Sequence, residues 1–285
     1  MIRRIDIGLL QAMLVVTLAG CDTSAVESQA RLAEAIQLAN ANDYVTAART
    51  LEAALLLDPN NAQAHYTLGL IRLQRFGDPS RSIDSLETAA RLRPDDAEVR
   101  YQIGVAYAAL DRQDDAVARY EEAIGLDPAH AGALYRLGVA KDDQGEVRAA
   151  IDLYTRSIHA DPYFPLPYNG LANIYVTYGR PQEAIQVLQN AIENCVYDAP
   201  EFEAGNVANR ADLGRVYLEV GELDLAIHYL EAAESLSGGS SAVSFNLGVA
   251  FRRRFEQSGD ASDRRAAQAQ LERARARCNP GEEPA

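Results

Sequence analysis

The amino-acid sequence predicts an all-α protein of about seven helical hairpins, and the main observation is a small residue that recurs inside apolar helical stretches. The spacings between these small residues are 34, 35, 34, 34, 42 and 34. Proline follows four of the predicted hairpins, where a helix cannot continue. A period of this length is typical of helix-turn-helix units that stack on one another. The recurring residues are Ala35, Gly69, Gly104, Gly138, Ala172, Gly214 and Gly248.

Other positions of the repeat test this register independently. When the small residue is taken as position 8, positions 20 and 27 also hold small residues in most units. Position 24 holds a larger residue, such as Leu51 or Tyr120, that fills the space between helices. The agreement predicts an array over residues 28–280, followed by a tail at 281–285. Its units begin near Ser28, Ala62, Ala97, Ala131, Pro165, Val207 and Ser241.

The array is irregular in three places. The second unit has one extra residue near Phe76-Gly77-Asp78-Pro79. Residues 197–206 add eight residues before the sixth unit, and Pro200 and Gly205 in this insertion predict a longer loop. The seventh unit contains about seven extra residues around Gly259. Degeneracy in a terminal unit is expected, because it must show a polar outer face to solvent.

The register resembles the tetratricopeptide-repeat (TPR) family over residues 28–280, and the third unit, 97–130, is close to a consensus repeat throughout. The resemblance implies a right-handed α-solenoid. It also implies a concave surface, lined by the first helix of each hairpin, on which proteins or peptide segments bind. The lysine and arginine pattern with which some members of the family clamp a terminal carboxylate is not matched here.

The N-terminus carries a targeting signal. Arg3 and Arg4 form a positively charged start, and an apolar stretch over 9–18 is too short to span a bilayer. Leu18-Ala19-Gly20-Cys21 then resembles a bacterial lipobox. The resemblance implies that residues 1–20 are a removed signal peptide, that Cys21 carries a covalent lipid such as palmitate, and that 21–27 are a short spacer. An ordinary secretory signal is the alternative.

Composition and residue spacing argue against a catalytic or metal-binding role and against nucleic-acid binding. The net charge of −14 disfavours a nucleic-acid partner. The four histidines lack metal-ligand spacing, and the sequence has neither a phosphate-binding glycine loop nor a nucleophile elbow. We therefore predict a protein that is not an enzyme, with no metal site and no cofactor besides the lipid. Cys195 and Cys278 share position 31 two hairpins apart, which predicts free thiols.

The predicted concave face supplies the candidate binding residues. Tyrosines at position 5 of three successive units form an aromatic strip, although tyrosine is common at this position for packing alone. Two asparagines four residues apart lie on one helical face, where they are suited to hydrogen-bond a peptide backbone. The candidates are Tyr66, Tyr101, Tyr135, Asn169, Asn173, Arg215, Phe245 and Asn246.

Together these features resemble periplasm-facing TPR lipoproteins of Gram-negative bacteria. The function implied is that of a non-catalytic, lipid-anchored scaffold that binds envelope proteins, with pilus biogenesis or secretin assembly as its first possible task. The alternatives are an adaptor for peptidoglycan hydrolases and a component of polysaccharide export. The implied location is the cell envelope, and the choice between inner and outer membrane stays open.

Overall fold

The computed structural model describes residues 23–194, 200–237 and 240–278, and every regular element in these ranges is an α-helix. Side chains are described in the same ranges, apart from those of 200–206, 237 and 278. The helices are α1 (Thr23–Asn40), α2 (Tyr44–Leu57), α3 (Ala62–Gln74), α4 (Pro79–Leu92), α5 (Ala97–Ala109), α6 (Gln113–Leu126), α7 (Ala131–Asp143), α8 (Val147–Ala160), α9 (Leu166–Thr177), α10 (Pro181–Asn194), α11 (Pro200–Val220), α12 (Leu223–Ser237), α13 (Ser241–Ser258) and α14 (Ala261–Cys278).

The helices form two compact units, one up to Leu137 and one from Gly138 onward. In the first unit, α1 packs on α2, α3 on α4 and α5 on α6 as successive hairpins. In the second unit the hairpins are α9 with α10, α11 with α12 and α13 with α14. Within each unit the first helices of neighbouring hairpins also contact one another, as α3 contacts α5 and α9 contacts α11. The predicted all-α repeat fold is confirmed.

The recurring glycines mark the closest approach of the two helices in a hairpin. A Cβ atom on Gly104 would lie 2.5 Å from Cε1 of Tyr120, and one on Gly214 would lie 2.6 Å from Cγ of Leu230. Because real carbon atoms do not approach so closely, a larger residue would force the helices apart. The small residue at position 8 and the large residue at position 24 are therefore two halves of one packing contact.

Short polar side chains begin several of the helices. The side chains of Asp43, Asn61, Asp78 and Asp96 each accept a hydrogen bond from a backbone N–H in the first turn of the helix that follows. These bonds satisfy amides that have no partner within the helix. Near the C-terminal end of the array, Gly259 caps α13 directly after its last residue, and its φ of 73° suits a residue without a Cβ atom.

Residues 200–206 of the insertion before the sixth unit are helical rather than the loop that the sequence predicts, and residues 197–199 lie outside the described residues. Helix α11 begins at Pro200 and runs for 21 residues, so residues 200–206 extend the first helix of this hairpin. Proline is compatible with the first position of a helix, because its missing N–H would have no partner there. The proline and glycine signals were therefore misread as a loop.

The N-terminal spacer is also shorter than predicted. Helix α1 begins at Thr23, so residues 23–27 are helical and the first hairpin starts before Ser28. No glycine or proline interrupts the chain between Thr23 and Asn40, and the helix continues through all of it. Cys21, the signal segment 1–20, Cys195, the side chain of Cys278 and the tail 281–285 lie outside the described residues. Among the helices that are described, none is both long and apolar enough to cross a membrane.

Candidate functional site

The predicted tyrosine strip lies on the first helices of the first unit, with Tyr66 on α3, Tyr101 on α5 and Tyr135 on α7. We call this surface the first-helix face. All three tyrosines are half-buried. The Tyr66 ring packs against a buried cluster that includes Leu86 and Ile103. The strip is therefore part of the packing between hairpins as well as part of the surface.

A glutamate at the centre of this face joins three successive hairpins. Oε1 of Glu98 accepts a hydrogen bond from the Tyr66 hydroxyl at 3.3 Å and from Nε2 of Gln102 at 2.8 Å. Oε2 of Glu98 lies 3.1 Å from Nε2 of His130. Because Nδ1 of His130 accepts the backbone N–H of Ala133 at 3.1 Å, this hydrogen-bond network assigns the ring proton to Nε2, which donates to Glu98. All donors around the carboxylate thus come from its own or a neighbouring hairpin.

This network changes the acidity of the groups in it. Burial by itself raises the pKa of Glu98, but the hydrogen bonds from His130, Gln102 and Tyr66 outweigh burial and hold the pKa below its ordinary value of 4.5. Burial and the nearby Glu98 carboxylate raise the pKa of Tyr66 far above the ordinary value. Glu98 is therefore charged and Tyr66 is a neutral hydrogen-bond donor near neutral pH.

The lowered pKa of Glu98 predicts acid-sensitive stability. A carboxylate whose pKa is lower in the folded state stabilises the fold above its unfolded pKa, and this contribution is lost as the pH falls through the folded pKa. We expect Glu98→Gln to lower the free energy of unfolding near neutral pH. On acidification below 4.5, the ordinary pKa of this group, the variant should lose less stability than the wild-type chain does.

Urea unfolding followed by circular dichroism, repeated across the acid range, measures this difference. Glu121→Gln is the matched control, because Glu121 is an exposed glutamate on α6, outside the network. Its acid profile should follow that of the wild-type chain. Parallel profiles for wild type and Glu98→Gln would contradict the role assigned to the network.

Arg136 lies next to these tyrosines. Its neighbours are tyrosine side chains, whereas Glu98 is surrounded by three hydrogen-bond donors. The Arg136 guanidinium interacts with the hydroxyl of Tyr101 and lies 5.8 Å from the ring centroid of Tyr135. The ring centroids of Tyr101 and Tyr120 are 5.9 Å apart. Burial raises the pKa of Tyr101 and raises that of Tyr120 to about 12, so both hydroxyls stay protonated near neutral pH.

The second unit brings together three of its five predicted residues. Nδ2 of Asn169 donates to Oδ2 of Asp212 at 2.6 Å, and Nη2 of Arg215 donates to Oδ1 of Asn173 at 3.2 Å. Arg215 also pairs with Glu219 at 2.8 Å. The two contacts of the asparagines join α9 to α11, whereas the pair with Glu219 lies within α11. The asparagines are therefore engaged by the next hairpin.

The other two predicted residues of the second unit lie on α13. Phe245 is 54% exposed, while Asn246 is half-buried. Three buried amide groups in this unit have atoms without a hydrogen-bond partner among the described residues: Oδ1 of Asn169, both polar atoms of Asn209, and Oε1 of Gln270. Such atoms are costly to bury, because the hydrogen bonds with water are not replaced.

Three residues of the first-helix face were missed from sequence. Glu98 and Arg136 occupy positions 2 and 6 of their repeats, which belong to the predicted face, while His130 precedes α7. The repeat register could have identified Glu98 and Arg136, because it allows each polar side chain to be compared with the residue at the same position of the next unit. In the described ranges, no group of three or more His, Cys, Asp or Glu side chains is arranged to hold a metal ion.

The model of the family described as "Tetratricopeptide repeat" matches residues 32–75, 71–118, 109–165 and 211–256, which together exceed half of the chain. The chain belongs to the tetratricopeptide-repeat family. The recognition made from the repeat register is thereby confirmed. TPR domains are in general non-catalytic scaffolds that bind proteins, and no enzyme family is indicated for this TPR protein.

Several solved structures resemble this TPR protein. PilF of Pseudomonas aeruginosa is 18% identical, with a TM-score of 0.63, and the match covers 78% of this chain and 96% of that one. PilW, whose structure is described as that of a widely conserved type IV pilus biogenesis factor, is 21% identical, with a TM-score of 0.62 and coverage of 76% and 96%. At these identities the likeness shows the fold alone.

A third structure, of MamA, is 29% identical, with a TM-score of 0.50, over 56% of this chain and 93% of that chain. None of the curated proteins compared with this sequence is significantly similar to it.

Proposed function

We propose that this TPR protein is a lipid-anchored scaffold of the bacterial cell envelope, which binds a segment of a partner protein along its first-helix face. The observation that carries the proposal is the line of tyrosine, glutamate and arginine side chains on α3, α5 and α7, together with His130 directly before α7. Aromatic and arginine side chains are typical of protein-binding surfaces. A half-buried ring is already ordered, so that binding a partner costs little conformational entropy.

The lipid anchor is proposed from Leu18-Ala19-Gly20-Cys21. Since α1 begins at Thr23, a lipid on Cys21 would hold the first hairpin close to the membrane surface. A single acyl chain binds membranes only weakly, and stable anchoring takes more than one chain. The mature protein would meet its partners next to the bilayer.

Pilus biogenesis or secretin assembly is the task we propose first. Support comes from the TPR fold shared with PilF and PilW over most of their length, and from the lipobox-like N-terminus. An adaptor for peptidoglycan hydrolases and a component of polysaccharide export remain the alternative tasks, and each implies a different partner.

The anchor is tested by replacing Cys21 with serine in the full-length chain. We expect Cys21→Ser to move the protein from the membrane fraction to the soluble periplasmic fraction, with its circular dichroism spectrum unchanged. The physical reason is that a serine hydroxyl does not replace the thiol that accepts the lipid. Retention of the variant in the membrane fraction would refute the lipobox interpretation.

The partner is tested by site-specific photo-crosslinking in the organism that encodes the chain. The crosslinking residue replaces Val105 on α5, and the control position is the exposed Arg91 on α4, a second helix. Mass spectrometry of the products should identify a secretin or pilus subunit at Val105 only. Capture of murein hydrolases would instead support the adaptor task, and capture of polysaccharide-export subunits would support the export task. Equal amounts of crosslinked product at Arg91 would refute binding on the first-helix face.

A further inference from the structure

Position 2 of the repeat holds a carboxylate side chain on α5 but a glycine on α7, and this difference points to a ligand. On α5, position 2 holds Glu98, which accepts hydrogen bonds from Tyr66 of the preceding hairpin and from Gln102 one turn later. On α7, position 2 holds Gly132. The second hairpin junction therefore lacks the carboxylate that completes the first.

The donors that would surround such a carboxylate are nevertheless present. Tyr101 on α5 corresponds to Tyr66, and Arg136 on α7 corresponds to Gln102. A Cβ atom built on Gly132 would lie 3.1 Å from Cζ and 3.2 Å from the hydroxyl oxygen of Tyr101, and these are the closest atoms that it would meet. The glycine thus lies directly beside the tyrosine hydroxyl, where the Glu98 carboxylate lies one hairpin earlier.

The charge of Arg136 is not neutralised by the described part of the chain, where no carboxylate lies within 4.0 Å of its guanidinium. This side chain is exposed and interacts with tyrosine hydroxyls. Those hydroxyls carry no charge near neutral pH, since burial raises the pKa of both Tyr101 and Tyr120. The Tyr120 hydroxyl, on a side chain that is 3% exposed, has no hydrogen-bond partner among the described residues. Arg136 thus lies beside a buried donor that is not used.

Two further considerations favour an anion over a cation at this place. Gly132 lies in the first turn of α7, where the helix dipole favours negative charge. The carboxylate of this network, Glu98, already accepts hydrogen bonds from three donors of the chain, whereas Arg136 has no carboxylate within 4.0 Å among the described residues. The unmatched charge on this face is therefore positive.

We propose that Tyr101, Gly132 and Arg136 form an acceptor site for the carboxylate side chain of an aspartate or glutamate in an extended segment of a partner protein. The incoming carboxylate takes the place that Glu98 occupies one hairpin earlier. It accepts hydrogen bonds from the guanidinium fork and from the Tyr101 hydroxyl. The site rests on the proposed binding of a protein segment to the first-helix face, and it specifies the chemistry of that segment.

Three fluorescent peptides, each six residues long, test the site on the full-length chain in mild detergent by fluorescence anisotropy. The first has a central glutamate among alanines and serines with both ends blocked, and the second has glutamine in place of the glutamate. The third lacks the acidic residue but has a free terminal carboxylate. We expect the glutamate peptide to bind about tenfold more tightly than its glutamine analogue.

The variant Arg136→Gln should abolish this preference, whereas Arg136→Lys should keep part of it, because lysine retains the charge without the fork geometry. Arg91→Gln is the matched control, since Arg91 is an exposed arginine on the second helix α4, and it should preserve the full preference. Equal binding of the glutamate and glutamine peptides, or a preference unchanged in Arg136→Gln, would overturn the proposal. Binding of the free-terminus peptide alone would also overturn it, in favour of a terminal carboxylate.

Crosslinking separates this inference from the proposed function. If a chain with the crosslinking residue at Val105 captures the same amount of partner with and without Arg136→Gln, the carboxylate site is wrong and the scaffold function stands. If that chain captures no partner while the peptide preference holds, the scaffold function is wrong and the site stands.

Discussion

Replacing Tyr154 with alanine is expected to lower the free energy of unfolding by about 3–5 kcal/mol, the cost of truncating a buried aromatic residue. The Tyr154 side chain on α8 is 2% exposed. A Cβ atom on Gly138 of its own hairpin would lie 2.8 Å from the ring, and one on Gly170 of the next hairpin would lie 2.6 Å from it. The ring therefore packs against Gly138 within its own hairpin and against Gly170 of the next hairpin at the same time.

Stability in a repeat protein is approximately the sum of the stabilities of single repeats and of the interfaces between neighbours. Tyr154→Ala weakens both terms, and we expect a lower urea midpoint of unfolding by circular dichroism. Tyr178→Ala is the control, because Tyr178 is 60% exposed and its truncation should change the free energy by less than about 0.5 kcal/mol. Similar losses in the two variants would show that Tyr154 does not hold the hairpins together.

A second large effect is expected at the ion pair that joins the last two helices. Arg254 on α13 binds Asp263 on α14 with two hydrogen bonds of 2.9 and 2.7 Å, and Asp263 is only 5% exposed. The hydrogen bonds that Arg254 donates to Asp263, followed by the one that it donates to Asp224, raise the pKa of Arg254 above its ordinary value. Removal of Asp263 leaves the partly buried Arg254 with one carboxylate partner among the described residues, the exposed Asp224.

We expect Asp263→Ala to cost about 2–3 kcal/mol of unfolding free energy, less than a fully buried pair would, because the Arg254 side chain is about one-third exposed. The control is Asp224→Ala, which removes the other partner of the same arginine. The Asp224 side chain is 86% exposed, so this change should cost less than about 1 kcal/mol. Urea unfolding of both variants measures the difference, and equal costs would contradict burial as its cause.

The repeat register was predictable from sequence because it rests on sterics that each hairpin repeats. A small residue at position 8 and a larger residue at position 24 are needed wherever two helices of this length pack closely, and Gly104 with Tyr120 shows the contact directly. Element boundaries were less predictable. Pro200 is compatible with either a loop or the first turn of a helix, and only the packed structure shows that it begins α11.

The candidate site was predictable only in part. The tyrosines were found from sequence because they recur at one position of the repeat. Their partners were not, since Tyr66 and Glu98 are 32 residues apart and meet only when neighbouring hairpins stack. The same is true of the two asparagines, which looked available for a peptide but contact Asp212 and Arg215 of the next hairpin.

The sequence by itself determined the all-α class, the repeat length and the membership of the TPR family, because helix periodicity and close packing require particular residue sizes at fixed intervals. Tertiary structure alone decided which polar groups are already paired. Glu98 is bound by three donors of the chain, whereas Arg136 has no carboxylate partner in the part of the chain that the structure describes. The physical reason is that hydrogen bonding and charge compensation depend on distances of a few ångströms between hairpins, which the spacing of residues along the chain does not specify.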